Sequence, residues 1–428
     1  MGSHSIKETL SAPAYYRNGY AKSRSRSGQA SNSMQEHNST PLAQRIASVR
    51  SYDDDSPWDV ERLELALNHE LERGIIDGVP QLVNIIFPDN RLPFPVDDIF
   101  MQKLRVTFAQ GRALQVPTQN EKECADWLGY VSSVLEELTK LPVRRRWVYT
   151  GCNKPVAGSP TLRKPDLMLV DVDQDDVNWA TIHALGEVTA SSDSHHRITA
   201  TTKQKAFLVF SCQSDRRFTL SLEFVKSRFR FTVCDRTGML ISVPYNSDIR
   251  NITLVRVLAG LMYASDAAIG LDPTMHRGPD GPIRSITVLG LEYTVMKKIF
   301  SAETLRGRAT QCWHVRRDGK EYVLKDCWRL RSRVLDEVQI LQGLTGVQGV
   351  PRLIASEDVQ CFGAADSTAT RRPGLDFEEE RLHRRLVIEP LAQPLYTFTS
   401  RRELIQAFID VVEGTSQSLV ACLPTMNL

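Results

Sequence analysis

The sequence predicts an α+β protein with an N-terminal part, a middle domain and a C-terminal domain, the last of which is incomplete. Residues 1–55 are rich in Ser, Asn, Gln, Arg and Asp and poor in large apolar side chains. Residues 119–277 alternate patterns typical of helices and strands, which indicates an α/β middle domain. Residues 285–428 begin with several strand-like runs separated by short turns. We therefore expect a disordered tail, a mixed middle domain and a strand-rich C-terminal domain.

Length and composition narrow the class of protein. A chain of 428 residues is long enough for two or three domains. The net charge of +2 creates no strong electrostatic field, so the overall charge does not favour nucleic acid as a partner. The eight cysteines are scattered without a C-x-x-C or metal spacing, which fits free thiols in a reducing compartment. No run is apolar enough for a membrane span. We expect an intracellular protein without a membrane partner, in either the nucleus or the cytoplasm.

The N-terminal part divides into a tail and a short structured region. The tail, residues 1–55, cannot bury enough apolar surface to offset the entropy of an ordered chain, which predicts disorder. Residues 56–118 are predicted to be a helical and irregular region. Leucines at helical spacing indicate its first helix and prolines then mark a loop: Leu63, Leu67, Leu71, Pro88, Pro93 and Pro95.

Two carboxylates are the first chemical signal in the middle domain. Asp166 follows a proline at the start of a predicted strand, and Glu187 lies on the next strand. A helix is predicted over residues 121–141, before the pair. This order resembles the core of PD-(D/E)xK nucleases, in which two carboxylates hold Mg²⁺ and a lysine orients the attacking water. The resemblance implies a metal site at Asp166 and Glu187.

The nuclease pattern departs from the family at its third position. Thr189 stands where the lysine is expected, and a neutral threonine cannot stabilise an attacking hydroxide. The middle domain is therefore predicted to have a degenerate nuclease-like core, unless Lys203 or Lys205 replaces the missing lysine. The alternative is an unrelated α/β core in which both carboxylates simply lie at strand ends.

A strand lysine followed by a helix glutamate is the second chemical signal. The strand-like run 320–326 contains Lys325, and a helix predicted over residues 333–344 contains Glu337. A protein kinase holds the α- and β-phosphates of ATP with such a lysine, which the glutamate fixes in place. The alternative is a surface lysine and a solvated glutamate. Further strands predicted around this pair give the order of a kinase small lobe: 293–300, 311–315, 350–354 and 384–390.

Several short motifs resemble the fungal-type protein kinase family. Within the C-terminal domain they are residues 305–310 (Leu-Arg-Gly-Arg-Ala-Thr), Cys312-Trp313, residues 322–326 (Tyr-Val-Leu-Lys-Asp), Trp328 and Gly349-Val350-Pro351. Residues 213–218 (Gln-Ser-Asp-Arg-Arg-Phe) and 234–238 (Cys-Asp-Arg-Thr-Gly) resemble the segment that precedes the kinase lobe in that family. The resemblance extends over about residues 120–420, and the order of the motifs carries it.

The resemblance implies a nucleotide site and a reaction. The reaction is ATP-dependent phosphoryl transfer to Ser or Thr of proteins, with ATP and Mg²⁺ as the cofactors. Lys325, Glu337 and Gly307 are the implied nucleotide-binding residues, and Glu389 lies at the implied hinge.

The sequence after the hinge lacks the catalytic residues of a kinase. Beyond a helix predicted over residues 402–412, the chain reads to Leu428 without the aspartate of a catalytic loop or an Asp-Phe-Gly. We therefore expect no catalytic residue and an inactive, truncated chain, whether it is a truncated product, a mis-spliced gene model or a decayed copy. The apolar face of the 402–412 helix is predicted to be exposed and to bind a protein partner.

Three functions stay open on the sequence alone. The chain is a fragment of a protein kinase, a non-catalytic pseudokinase or interaction protein, or a degenerate nuclease. The sequence indicates neither the phosphorylation substrate nor the oligomeric state.

Overall fold

Two β-sheets and the helices packed on them make up the described part of the protein. The computed structural model describes residues 60–108, 113–149, 151, 155–159, 161–191, 195–278, 281–333, 336–377 and 379–422. The tail predicted to be disordered, residues 1–55, lies outside these ranges. The described residues form eight α-helices and seventeen strands, which confirms the α+β class.

The first sheet has eight strands in the order β1-β7-β6-β5-β4-β3-β2, with β8 paired to β6. The β1–β7 and β4–β5 pairs are parallel and the others are antiparallel. The strands are β1 (Ile75–Val79), β2 (Arg145–Val148), β3 (Leu167–Asp171), β4 (Ala184–Thr189), β5 (Phe218–Val225), β6 (Arg228–Asp235), β7 (Gly238–Ser242) and β8 (Tyr245–Asn246).

Helices cover both faces of this sheet because alternate strand residues point in opposite directions. In β3, Leu167 and Leu169 join one apolar cluster, whereas Met168 joins the other. The second cluster contains residues of the first and fifth helices, and the first cluster contains residues of the other four. In chain order the helices are α1 (Val60–Glu70), α2 (Leu82–Ile86), α3 (Asp98–Phe108), α4 (Glu121–Thr139), α5 (His195–Cys212) and α6 (Ile252–Tyr263).

The second sheet has seven antiparallel strands in the order β14-β17-β13-β12-β11-β10-β9. It begins at Met275, ahead of the predicted start of the C-terminal domain at residue 285. Its strands are β9 (Met275–Arg277), β10 (Ile283–Val288), β11 (Leu291–Ser301), β12 (Gln311–Arg317), β13 (Lys320–Leu330), β14 (Arg352–Asp358) and β17 (Arg381–Glu389).

Three smaller elements complete this half of the protein. The hairpin of β15 (Gln360–Cys361) and β16 (Ala364–Ala365) follows β14, and α8 (Arg401–Cys422) follows β17. Helix α7 (Glu337–Gly343) lies between β13 and β14 in the chain. None of the helices in the described ranges combines the length and the apolar character needed to cross a lipid bilayer.

The helix after the lysine strand is shorter than the prediction over residues 333–344. It begins at Glu337, because Asp336 forms a capping box with Gln339 in which each side chain accepts the other residue's backbone N–H. Glu337 therefore occupies the first helical position rather than the middle of the helix.

The segment 360–381 is not the solvated inserted loop that its polar composition suggests. Arg371 and Arg372 in this segment are buried against Asp235, which ends β6 of the first sheet. Arg372 donates two hydrogen bonds to the Asp235 carboxylate, at 2.6 and 2.8 Å, and Arg371 donates a third at 2.9 Å. The segment therefore joins the two sheets through charged side chains away from water.

The same buried network continues toward the second sheet. Asp366 accepts hydrogen bonds from Arg217 of the first half at 3.1 Å and from Arg371 at 3.4 Å. His383 on β17 lies 2.9 Å from Asp326 on β13 and 3.4 Å from Asp366. Two further members extend the network: Arg385, which donates to Asp326 at 2.8 Å, and Asp272, which pairs with Arg385.

The charged groups of this network stabilise one another's ionised forms. Burial alone would raise the pKa of Asp235, but Arg372 and Arg371 outweigh it and hold that pKa at about 2. Burial would likewise lower the pKa of His383, but Asp326 raises it to about 9. The carboxylates and the imidazolium therefore stay charged at neutral pH, because each has partners of opposite sign.

Removing one carboxylate of the network is expected to destabilise the whole fold. Asp235→Asn leaves the buried Arg372 guanidinium without its counter-charge and leaves Arg371 with Asp366 alone, which costs about 3–5 kcal/mol of unfolding free energy. Urea unfolding at pH 7 measures this loss. The control is Asp175→Asn, whose carboxylate pairs with Arg146 while 99% exposed, and which should cost less than about 1 kcal/mol. Equal losses in the two variants would contradict a structural role for the network.

Candidate functional site

The predicted lysine and glutamate lie in direct contact. Lys325 on β13 is the register partner of Leu386 on β17, so both side chains lie on one face of the second sheet. Helix α7 packs on this face through Val338 and Leu341, which cluster with Leu386. The packing places Glu337 over the lysine, and the Nζ atom of Lys325 lies 2.6 and 2.7 Å from the two carboxylate oxygens of Glu337.

A second cation shares the glutamate, and sequence reasoning did not identify it. Arg308 lies in the loop between β11 and β12 and donates to Glu337 at 3.3 Å. The same loop residue accepts a backbone hydrogen bond from Trp328 on β13 at 2.8 Å, which places it beside the lysine strand. Arg308 lies within the family-like motif 305–310, directly after Gly307, but no pattern there indicates its contact with Glu337. An ammonium and a guanidinium beside one carboxylate leave excess positive charge, which suits an anionic ligand.

The loop between β11 and β12, residues 302–310, is anchored in the first half of the protein. Leu305 is fully buried in the apolar cluster that contains residues of α1 and α5. Gly307 has a φ of 123°, a conformation that favours glycine, and its N–H donates to the Arg236 carbonyl at 2.8 Å. Arg236 in turn donates to the Thr304 carbonyl at 2.8 Å. The Gly307 N–H is therefore engaged within the protein.

Glu70, at the end of α1, completes this anchor. One oxygen of its carboxyl group accepts hydrogen bonds from the Thr304 hydroxyl and the Arg306 N–H. Burial raises the pKa of Glu70 to about 7, although the bonds from Thr304 and Arg306 favour the ionised form. No sequence pattern indicates this contact, because Glu70 lies on an ordinary amphipathic helix far away in the chain.

Glu389 ends β17 at the other side of the lysine site. Its carboxylate pairs with Arg352 on β14, and an open cleft of about 490 Å³ adjoins it. In the β13–β17 register Lys325 pairs with Leu386, three residues before Glu389, which corresponds to roughly 10 Å along the strand. The predicted hinge residue and the predicted phosphate-binding lysine are therefore neighbours along one strand pair.

The two carboxylates of the middle domain have partners within the protein. Asp166 accepts a hydrogen bond from the Val188 N–H at 2.8 Å. Glu187 is buried and pairs with Lys205 of α5. Burial raises the pKa of Glu187 to about 7, while Lys205 acts in the opposite direction. Lys205, one of the two possible substitutes for the absent lysine, thus contacts the glutamate, whereas Lys203 contacts Asn68 instead.

Further charged residues surround this pair. Glu121, the first residue of α4, pairs with Lys164 at 3.0 Å. The charge of Glu121 raises the pKa of Asp166, and the charge of Lys164 lowers it. Glu223 on β5 is the register partner of Glu187 and accepts hydrogen bonds from Thr202 and Thr232, at 3.0 and 3.1 Å. Within the described ranges, however, no group of three or more His, Cys, Asp or Glu side chains is placed to hold a metal ion.

The apolar residues of the last helix are exposed, as expected for the 402–412 segment. The exposed fractions are 59% for Ile405, 55% for Phe408, 65% for Val411 and 67% for Val412. A protein partner for this face remains a prediction.

A lysine strand paired to a helix glutamate, within an antiparallel sheet, defines the class as protein-kinase-like. The chain belongs to the fungal protein kinase family, because the sequence model described as fungal protein kinase matches residues 164–381 and 378–422, more than half of the chain. The match begins in the middle domain and includes strands of both sheets. Searches among curated proteins and among solved structures found no match.

The anchor at Glu70 predicts a specific pH dependence of stability. The folded state binds the Glu70 proton up to a pH of about 7, and the unfolded chain releases it near the ordinary value of 4.5. As the pH rises between these values, the wild-type protein should lose stability relative to Glu70→Gln, by on the order of 3 kcal/mol. Unfolding free energies measured by urea between pH 4 and 8 test this difference.

Glu72→Gln is the matched control, because Glu72 is exposed next to the same helix end. Its stability should follow the wild-type pH curve. A Glu70→Gln curve parallel to that of the wild type would show that Glu70 does not retain its proton in the folded state.

Proposed function

We propose that this chain binds ATP through the Lys325–Glu337 pair. The contact of the lysine Nζ with both glutamate oxygens, at 2.6 and 2.7 Å, carries the proposal. A lysine held by a carboxylate keeps its ammonium group in one position, ready to donate to phosphate oxygens. Glu389, three residues beyond the register partner of Lys325, supports a placement of the adenine at the end of β17.

Mg²⁺ would accompany the nucleotide in this proposal. Because no cluster of three metal-ligating side chains occurs in the described ranges, the phosphate oxygens and water would supply most of its ligands. The metal would neutralise phosphate charge, while Lys325 and Arg308 orient the phosphate chain. Gly307 would shape the loop beside the phosphates but would not donate a hydrogen bond to them, because its N–H already binds the Arg236 carbonyl.

We further propose that the 428-residue polypeptide binds the nucleotide without transferring its phosphoryl group to a protein Ser or Thr. The sequence beyond Glu389 contains neither a His-Arg-Asp nor an Asp-Phe-Gly. Phosphoryl transfer by a kinase needs an aspartate to accept the hydroxyl proton and further groups to hold the metal ions. A lysine pair that binds nucleotide without such an aspartate would fit the non-catalytic, pseudokinase interpretation.

A thermal shift experiment tests nucleotide binding. Mg·ATP at about a hundred times its Kd should stabilise the wild-type protein by about 2.7 kcal/mol and raise its Tm. Lys325→Met removes the ammonium group that binds the phosphates and should abolish most of this shift. Lys103→Met, which changes an exposed lysine on α3, should leave it intact. A wild-type Tm that does not respond to Mg·ATP would refute the proposal.

A second candidate function is metal-dependent phosphodiester hydrolysis in the middle domain. The contact of Lys205 with Glu187 favours it, because it supplies a positive charge that Thr189 lacks. The order α4-β2-β3-β4-α5-β5, with β5 parallel to β4, also fits the nuclease-like core. Asp166 and Glu187 would hold Mg²⁺, completed by water, and the metal would activate the attacking water.

Cleavage of supercoiled plasmid tests the second candidate. Hydrolysis at this site requires nicking that depends on Mg²⁺, is lost in Asp166→Ala and falls about 10²-fold or more in Lys205→Met. Asp175→Ala, at a 99% exposed carboxylate, should cleave like the wild type. If the wild-type protein does not cleave, Asp166 and Glu187 are structural residues of the sheet.

A further inference from the structure

A basic cavity lies beyond Lys325, on the side away from Glu389. It occupies about 310 Å³ between helix α7 and the face of β13 and β17 that carries Lys325. This is room for about ten water molecules, or for a phosphate group and part of the molecule that carries it. We call it the arginine cavity, and its cationic lining residues are Arg308, Lys325, Arg329, Arg333, Arg381 and Arg384.

The charges of the arginine cavity do not balance. Among the residues that the structure describes, two acidic side chains, Asp336 and Glu337, line it opposite the six cations. Two neighbouring carboxylates also pair with lining arginines, namely Asp358 with Arg384 and Glu379 with Arg381. Even with these included, the cations exceed the carboxylates by two. This excess matches the charge of a phosphate monoester dianion.

Two arginines that line the cavity each have a buried Nε atom without an acceptor. Arg381 is 3% exposed, and its Nε atom has no hydrogen-bond partner. The Nε atom of Arg329 is also buried without a hydrogen bond, at 3.7 Å from Asp358 and 3.9 Å from Asp336. A buried guanidinium donor that lacks an acceptor costs free energy, which an anion bound by these side chains would recover. Burial, with crowding by Arg306 and Arg308, also lowers the pKa of Arg381.

We propose that the arginine cavity is a binding site for a dianionic phosphate group. One guanidinium group can donate two parallel hydrogen bonds to two phosphate oxygens. A phosphate dianion also balances the excess of two positive charges, which a singly charged carboxylate does not. The phosphate can belong to a nucleotide or to a phosphorylated side chain, and the same chemistry recognises both. The site extends beyond the proposed ATP function, because only Lys325, Glu337 and Arg308 are common to the two, whereas Arg329, Arg333, Arg381 and Arg384 belong to the cavity alone.

Binding at this site would also affect the lysine pair. Arg308 and Lys325 share Glu337, and the glutamate cannot serve both fully. A phosphate that attracts Arg308 into the cavity leaves Glu337 to Lys325 alone. Occupation of the arginine cavity would thus strengthen the contact on which the ATP proposal depends.

Calorimetric titration of the full chain with inorganic phosphate tests the site. Arg308→Gln and Arg329→Gln each remove one charge-assisted donor and should weaken phosphate affinity about 10-fold. Arg316→Gln is the control, because Arg316 lies on β12 outside the cavity and pairs with Glu321 at 2.9 Å. Equal affinities in all four proteins, or no saturable phosphate binding to the wild type, would overturn the proposal.

A fourth variant keeps every arginine in place. Ile340 lines the cavity and is 41% exposed, so Ile340→Glu should fold while adding a competing carboxylate. It should bind phosphate at least about 10-fold more weakly than the wild type. Phosphate affinity that survives this change would count against the cavity as the binding site.

Two further ligands separate the sources of the phosphate. If ATP places its own phosphates in the arginine cavity, inorganic phosphate competes with ATP and Arg329→Gln weakens both. If the cavity takes a phosphorylated side chain, O-phospho-L-serine binds together with ATP, and Arg329→Gln weakens phosphoserine alone. The ATP proposal fails separately, when Mg·ATP gives no thermal shift although inorganic phosphate binds.

Discussion

The buried ion pairs between Asp235, Asp366 and the arginines around them determine how the two sheets are joined. Arg371 and Arg372 reach Asp235 from a segment of the second half, and Arg217 reaches Asp366 from the first. Charged groups in a low-dielectric interior are tolerated only when partners and hydrogen bonds compensate them, so this arrangement admits few alternatives. The family match, which begins at residue 164, includes both sides of the network. Buried ion pairs therefore connect the middle and C-terminal domains that the sequence predicts.

Local patterns predicted the elements that carry the candidate site. The strand with Lys325, the helix with Glu337 and helix α4 follow from side-chain periodicity and capping residues, which act over a few neighbours. The contacts of Arg308, Glu70 and Arg236 could not be predicted in this way, because their partners lie far apart in the chain. The burial of Arg371 and Arg372 in the segment 360–381 could not be predicted for a related reason. Its arginines and aspartates have the composition of a solvated loop, and only their distant partners show that they are buried.

Positive charge is concentrated around one carboxylate in the second sheet. Glu337 contacts both Lys325 and Arg308, and further arginines surround the adjoining cavity. Such a concentration is costly in the absence of an anion and favourable in its presence. The middle domain shows the reverse arrangement, in which the register partners Glu187 and Glu223 are both buried and Lys205 contacts Glu187. The two halves therefore carry sites of opposite electrostatic character within one fold.

Leu305 sets a free-energy cost for moving the loop 302–310, which lies beside the lysine strand. Its side chain is inserted into the apolar cluster of the other sheet, where none of it is exposed. Any motion that lowers this loop onto a ligand must first withdraw that side chain into water, at a cost of about 1.5–3 kcal/mol. The loop therefore stays in place until a ligand supplies binding free energy of that size. Two ligands would then differ in more than affinity, because only a ligand whose contacts exceed this cost would move the loop.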